Sequence, residues 1–442
     1  MTAIWAQFPG VDPNATNVEI SVRQSVFYPS RPGINFITVR GFEMSQAATP
    51  WAGAMSEQIG LVGTHWSKGW IIENNHIHHS MCTGITLGRY QLPEGQMLPA
   101  TAPGFVKSIE YAFRDGWSRE KIGGHIVRNN HIHHCEKNAI HGSLGACFSE
   151  ISGNEIHDIA RTGWVFGVDT AGIKFLGGVD IRITGNHIYN CGGSAGVWLD
   201  WMAQGAQVTG NLLHDNNARS GDIYCEMQHG PLLLANNILL SRLSLCINSE
   251  GLGLAHNLVN GEIKAFSDSR STPFHPAHSL TLAGNYTACG GDHRFYNNVF
   301  FGGWTGKHLT TAKLPSTASG NVFVGKAQPF KFGDTTVQAE TFNAPPVLTQ
   351  KADGWYLWLA ADSSWRAAGR CRTVTSELLG TAKIPHVRYE NPDSSPIRID
   401  IDYFDKPRNE SNPFPGPFEI IRDGEQEFKV WPKSLSLPAD DR

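Results

Sequence analysis

The chain has 442 residues, enough for one long repeat domain or for two or three ordinary ones. Its net charge of −4 excludes a basic footprint for nucleic acid or an anionic membrane, and no apolar run reaches the length of a membrane-spanning helix. With 40% hydrophobic residues, 17% charged residues and 47 glycines, the composition suits a turn-rich all-β protein, and the weakly acidic balance suits a neutral partner such as a sugar.

The N-terminal stretch MTAIWAQFPGVDPN has neither a basic start nor an apolar core, which reads as a chain without a leader. The cysteines Cys82, Cys135, Cys147, Cys191, Cys225, Cys246, Cys289 and Cys371 are scattered, with no CxxC pair, and read as reduced, buried thiols. Together these features point to a cytoplasmic protein.

From residue 72 onward one pattern recurs: IENNHIHH (72–79), VRNNHIHH (127–134), ISGNEIHD (151–158), ITGNHIYN (183–190), VTGNLLHD (208–215), LANNILLS (234–241) and LAHNLVN (254–260), with looser copies at 295–301 and 320–324. Its fixed point is an asparagine: Asn75, Asn130, Asn154, Asn186, Asn211, Asn237, Asn257, Asn298 and Asn321. The short gaps, 20 to 26 residues, are one coil of a parallel β-helix, and the longer ones are a coil plus an inserted loop. An asparagine at each bend is expected in left-handed backbone, bonded to its neighbours above and below. A leucine-rich horseshoe is the rival, but LxxLxL spacing and intervening helices are missing.

Each coil carries a second strand after its asparagine: TGITLG (83–88), NAIHGS (138–143), AGIKFL (171–176), AGVWLD (195–200), GDIYCE (221–226) and LSLCIN (243–248). Aligned, Ile85, Ile140, Ile173, Val197, Ile223 and Leu245 form an apolar column that must face inward. The alternate columns then face out: Thr86, His141, Lys174, Trp198, Tyr224 and Cys246, and beside them Gly88, Ser143, Leu176, Asp200, Glu226 and Asn248.

The insertion 89–124 contains a helical pattern over 105–123 and leaves right after an outward strand, so it is expected to overhang that face. The insertion 260–293 either shapes the cleft from the other side or mediates contacts in a homo-oligomer. Residues 1–333 are read as the β-helix, and 334–442 as a strand-containing extension packed on it, perched along its side or at its end. The HIHH runs invite a zinc reading. They are expected at a bend far along the coil from Asp200, without an HExxH motif, so no metal is assigned and no cofactor is called for.

Asp200 and Glu226 are 26 positions apart, as are Asn211 and Asn237, so the two carboxylates occupy one place in consecutive coils. Adjacent strands lie about 4.7–4.9 Å apart, close to the carboxyl spacing of retaining glycosidases, about 5–5.5 Å. Surface acids are not usually stacked directly opposite each other, and Trp198, Trp201 and Tyr224 beside them are costly to expose without a ligand. The residues around the pair admit two readings each. Lys174 and His141 either bind sugar hydroxyls or form ordinary surface pairs. Trp198 and Trp201 stack on a sugar ring, or Trp201 packs under a loop. His229 orients Glu226 or caps a turn. Asp169 is a third pocket carboxylate or a turn former.

The strings GVWLDWMAQG (196–205) and IYCEMQHGPLLLANNILLS (223–241) resemble glycoside hydrolase family 120, the β-xylosidases, as do 37–80 and the opening IWAQFPGVDPN. The resemblance covers most of the chain to about residue 260. It implies a right-handed parallel β-helix and an exo-acting, retaining enzyme on xylosides and xylo-oligosaccharides. It makes Asp200 the nucleophile and Glu226 the acid/base. Family members extend further at the N-terminus, and Met227 and Gln228 depart from the usual turn. Two rival readings remain: a polysaccharide lyase on the same fold, which would use a Lys or Arg base, and a non-catalytic carbohydrate-binding β-helix, which would not need the two acids in register.

Overall fold

The computed structural model describes residues 5–433 except 54–55, 93–97, 100, 164, 166–168, 217–218, 267, 306–311, 334, 340–343, 367–370 and 420–421. The first residues of the N-terminal stretch, and position 334, where the sequence places the start of the extension, lie outside the described residues.

The coils hang on the asparagine ladder. Asn211 Oδ1 accepts the backbone N–H of Asn186 at 2.8 Å and its Nδ2 at 3.0 Å, while Asn211 Nδ2 donates to the Ile183 carbonyl at 2.9 Å. The backbone link repeats at every step from Asn75 to Asn321. The left-handed residue is not the ladder asparagine, as expected, but the one before it. Asn74, Asn129, Gly153, Gly185, Gly210, Asn236, His256, Asn297 and Gly320 have φ between 54° and 69°. The bend must be completed one position earlier so that the asparagine side chain can run along the helix axis. Glycine or asparagine fills most of these positions because both tolerate that backbone.

Each coil supplies three parallel strands. Arg182–Thr184, His187–Cys191 and Ala195–Asp200 pair in register with Ala206–Thr209, Leu212–His214 and Ile223–Glu226 of the next coil. The first two sets merge into a 20-stranded sheet, and the third forms a nine-stranded sheet. The inward column is in register from Ile85 to Leu245, and all six members are fully buried. Each such side chain contributes about 1.5–3 kcal/mol of burial.

The outward columns are covered rather than bathed in solvent. Lys174 is 0% exposed, Asp200 and Glu226 are 6% each, and Tyr224 is 8%. Two insertions account for this. One is the helix α1, Ala102–Arg114, which is shorter than the expected 105–123. The Thr101 side chain caps it by accepting from Gly104 N–H, and the chain turns away at Gly116, φ 92°. Trp117 then buries itself and donates Nε1–H to the Leu144 carbonyl at 3.1 Å. Phe105, Ile109 and Ala112, on one face of α1, pack with Leu176 and Met202 next to the carboxylate column and with Leu280. Leu280 belongs to the second cover, the antiparallel hairpin Ser271–Phe274 and Gly284–Thr287.

The HIHH runs also differ from expectation. Both lie on strands, His76–Ser80 and His131–Cys135, with left-handed backbone only at His79 and His134. Alternation decides this: Ile77 and Ile132 point into the core, which turns the flanking histidines outward.

At the C-terminal side, Val347–Lys351, Gly354–Ala361 and Gly424–Trp431 form an antiparallel sheet. Its Leu357, Leu359 and Val430 pack on Leu212, Ile238, Leu258, Val299 and Val322, which project from successive coils. This part therefore lies along the β-helix. All eight cysteines are free, and all but Cys289 are buried. Among the described residues, no helix is long and apolar enough to cross a membrane.

Candidate active site

Trp198 pairs with Tyr224 and Leu199 with Cys225, so the next register position carries Asp200 beside Glu226, one coil apart on the outer face of the nine-stranded sheet. Asp200 ends its strand, and its Oδ1 accepts the N–H of Trp201 at 2.9 Å. Its Oδ2 lies 3.1 Å from the Lys174 ammonium. Lys174 also ion-pairs with Asp169, and its Nζ sits 3.3 Å above the Trp198 ring centroid. Burial works against the lysine's charge, but Asp200 and Asp169 outweigh it and raise its pKa. Burial pushes the Asp200 carboxyl up to about 7; Lys174 opposes this and Glu226 reinforces it.

Glu226 is held differently. Trp198 Nε1–H donates to its Oε2 at 3.0 Å, and Arg270 ion-pairs with its Oε1. Arg270 is fixed in turn by Asp268 at 2.7 Å, and Asn248 Nδ2 donates to Asp268 at 3.0 Å. The Arg270 guanidinium lies 5.5 Å from the Trp201 ring. One carboxylate thus answers to a buried lysine, the other to a half-exposed arginine and an indole N–H.

A cavity of about 340 Å³ opens beside Glu226, lined by Ser194, Trp198, Arg219, Ser220, Tyr224, Cys246, Lys264 and Phe266. The Trp198 and Tyr224 rings, 5.2 Å apart, give it an aromatic wall. Burial, then the Glu226 charge, raises the Tyr224 hydroxyl pKa far enough to keep it a neutral donor.

The other expected residues fall on both sides of their two readings. His141 stands in register under Lys174, fully buried, and its Nε2 has no hydrogen-bond partner among the described residues. Burial and the nearby Lys137, Lys174 and Arg89 push its pKa well down, so the ring is neutral. Asp169 joins the group through Lys174. Trp201 packs edge-on against Phe105 of α1, with ring centroids 5.5 Å apart, and supports the cover. Among the described residues, the hydrogen-bond partners of His229 are Glu250, Thr272 and Tyr286 and do not include Glu226. Met227, φ 51°, turns the chain, and His229 points at the hairpin instead. Its Nδ1 is 2.7 Å from Glu250, and its Nε2 is 3.2 Å from the carbonyls of Thr272 and Tyr286.

Arg270 and Asp268 were not expected. They sit in the 260–293 insertion, outside any column, so coil periodicity carries no signal for them. Only the return of that loop over the sheet brings them to Glu226.

Comparisons with known proteins agree with this architecture. Residues 59–241 match the family model of the right handed beta helix region, which sets the hand of the solenoid. Among solved structures, XylC in complex with xylose superposes with a TM-score of 0.87 at 36% identity, over 96% of this chain and 71% of XylC. The pectate lyase Pel9A is far more distant, at 12% identity and a TM-score of 0.41 over 81% of this chain and 89% of the lyase. No curated protein sequence matches. With that identity to XylC over nearly its whole length, the chain belongs to glycoside hydrolase family 120 and is a glycoside hydrolase on a right-handed parallel β-helix.

Proposed function

We propose that the chain is a retaining, exo-acting β-xylosidase, with Asp200 as nucleophile and Glu226 as acid/base. The observation that carries this reading is the register of strands Ala195–Asp200 and Ile223–Glu226, which sets the two buried acids one interstrand step apart. A strand spacing of about 4.7–4.9 Å is close to the carboxyl separation that suits direct attack by one carboxylate. The likeness to XylC, solved with xylose, supports a pentose as the glycone. The cavity of about 340 Å³ beside Glu226, with its wall of Trp198 and Tyr224, is of a size for a small ligand.

In this mechanism Asp200 Oδ attacks the anomeric carbon while the bond to the leaving oxygen breaks, and Glu226 gives that oxygen its proton. Glu226 then takes a proton from water, which attacks the same carbon and releases Asp200. Lys174 stays charged and steadies Asp200 as a carboxylate. For Glu226 to hold a proton, Arg270 must yield its Oε1. That pair is the easier one to break, because the guanidinium is half exposed. Lys174 is locked between Asp169 and Asp200 and is not free to act as a lyase base, which supports hydrolysis over elimination.

The test is hydrolysis of p-nitrophenyl β-xyloside by the wild type and the Asp200→Ala and Glu226→Ala variants. Each variant is expected to lose about 10²–10⁴-fold in rate, with azide rescuing at least one. NMR of the first sugar released should show the β anomer. Full activity in either variant, or α-xylose as first product, overturns the assignment.

A further inference from the structure

We propose that His76, His131 and His133 form a binding site for one divalent transition-metal ion, on the 20-stranded sheet and apart from the carboxylate pair. The strands Glu43–Ser45, His76–Ser80, His131–Cys135 and Glu155–Ile159 stack in parallel register. One outward column reads Glu43, His76, His131, Glu155, and the next-but-one reads Ser45, His78, His133, His157. The isoleucines between them are fully buried, so the backbone holds both histidine columns to one face.

The rings converge across the columns. His76 and His131 lie parallel, with centroids 4.9 Å apart and planes 4° from each other. His76 Nε2 and His133 Nε2 are 2.8 Å apart. One ring nitrogen from each of His76, His131 and His133 falls within 4.8 Å of the others. A hydrogen between two nitrogens belongs to only one of them, so the other directs a lone pair into the gap, and an ion can replace that hydrogen. Zinc–nitrogen bonds of about 2.0–2.1 Å in a tetrahedron need nitrogens about 3.3 Å apart. The His76 and His133 nitrogens are closer than that, at 2.8 Å, and all three lie within 4.8 Å of one another, so ring rotation has to close the site around an ion.

The chemistry of the donors selects the ion. Three imidazoles without a thiolate suit Zn²⁺, Co²⁺, Ni²⁺ or Cu²⁺, whereas Ca²⁺ and Mg²⁺ require oxygen ligands. Further groups lie around the site. Glu43 Oε1 is 3.1 Å from His78 Nε2, His131 Nε2 is 2.7 Å from His157 Nε2, and Asp158 fixes His157 Nδ1 at 2.7 Å. The two carboxylates reach His78 and His157, the histidines beside the three ligands, and not the ligands themselves. The three ligands are half-buried rather than sealed, so an ion has access and a fourth position is open to water. The site joins two coils whose ladder asparagines are 55 residues apart, the widest step of the ladder, with α1 inserted between them. An ion there would clip the longest loop of the solenoid, where a cross-link restrains the unfolded chain most.

The experiment uses the full chain without an affinity tag, dialysed against chelator. Calorimetric titration with ZnCl₂ is expected to show one saturable equivalent, and CoCl₂ should give the intense visible absorption of a low-coordinate, nitrogen-ligated ion. Zn²⁺ should raise the melting temperature. The variants His131→Asn and His133→Asn should each lose at least about tenfold in affinity and most of the thermal shift. The exposed His386→Ala should keep both. Far-UV circular dichroism reports that each variant is folded, and a second variant, His76→Gln, stands in for any that is not. Absence of a one-equivalent isotherm in the wild type, or wild-type affinity in the folded ligand variants, overturns the proposal.

Discussion

The Lys174 ammonium lies 3.1 Å from Asp200 Oδ2, and both groups are buried in neighbouring coils. Leu176 and Asp200 are register partners, so the lysine reaches its partner from two positions earlier on the adjacent strand, and Asp169 closes the ion pair from the other side. Replacing Lys174 with methionine leaves two carboxylates facing a low-dielectric interior without their cation. The expected cost is about 3–5 kcal/mol of stability, read by urea denaturation, together with at least a hundredfold loss of kcat/KM on an aryl xyloside.

The pH dependence follows from Asp200, whose carboxyl is raised from 3.8 to about 7, chiefly by burial. As the nucleophile it must be ionised, so kcat/KM should fall about tenfold per pH unit below about 7. The linkage to stability has the opposite sense. A raised folded-state pKa means that the native state binds the proton more tightly. This contribution favours folding below the unfolded pKa and is lost as pH rises from about 4 through about 7. Asp200→Asn should therefore melt higher than the wild type at pH 8, and the difference should shrink as pH falls toward 4. A variant that is inactive yet more stable at alkaline pH separates a functional carboxylate from a structural one.

The hairpin over the site depends on His229, whose ring spans Glu250 and the carbonyls of Thr272 and Tyr286. His229→Leu removes that tie and leaves Glu250 buried without its ring partner. Amide hydrogen exchange should accelerate over 271–287 while the coil strands stay protected. Arg270, at the hairpin stem, should lose its hold on Glu226. The His229 variant should lower the melting temperature, whereas Arg270→Met, which breaks only a half-exposed pair, should leave it unchanged.

The ladder makes a test of the fold itself. Asn211→Ala leaves the Asn186 backbone N–H, the Asn186 amide, the Ile183 carbonyl and the Asn237 amide acceptor short of a partner inside the solenoid. With about 1–3 kcal/mol for each unsatisfied buried group, a loss of at least 3 kcal/mol is expected in denaturant unfolding. Thr209→Ala, on the same coil but at its half-exposed surface, should cost less than 1 kcal/mol.

The recurrence of asparagine, and the alternation seen in Ile173-Lys174-Phe175 or Val197-Trp198-Leu199, determined the solenoid and the pairing of Asp200 with Glu226. Both signals are local and repeat with the coil, so a linear chain can carry them. The same strings carried the likeness to family 120. What lay outside the period was decided by tertiary structure alone. The cover that buries the carboxylates comes from α1 and the 271–287 hairpin, whose landing place no repeat specifies. Arg270 reaches Glu226 only because that hairpin folds back over the sheet. His229 follows Glu226 by three positions in sequence, yet a left-handed Met227 sends it to the hairpin. The histidine runs were visible as motifs, but their convergence was not. Only stacking two coils, joined through a long insertion, puts His76 against His131 and His133, because parallel register fixes which side chains meet across strands far apart in the chain.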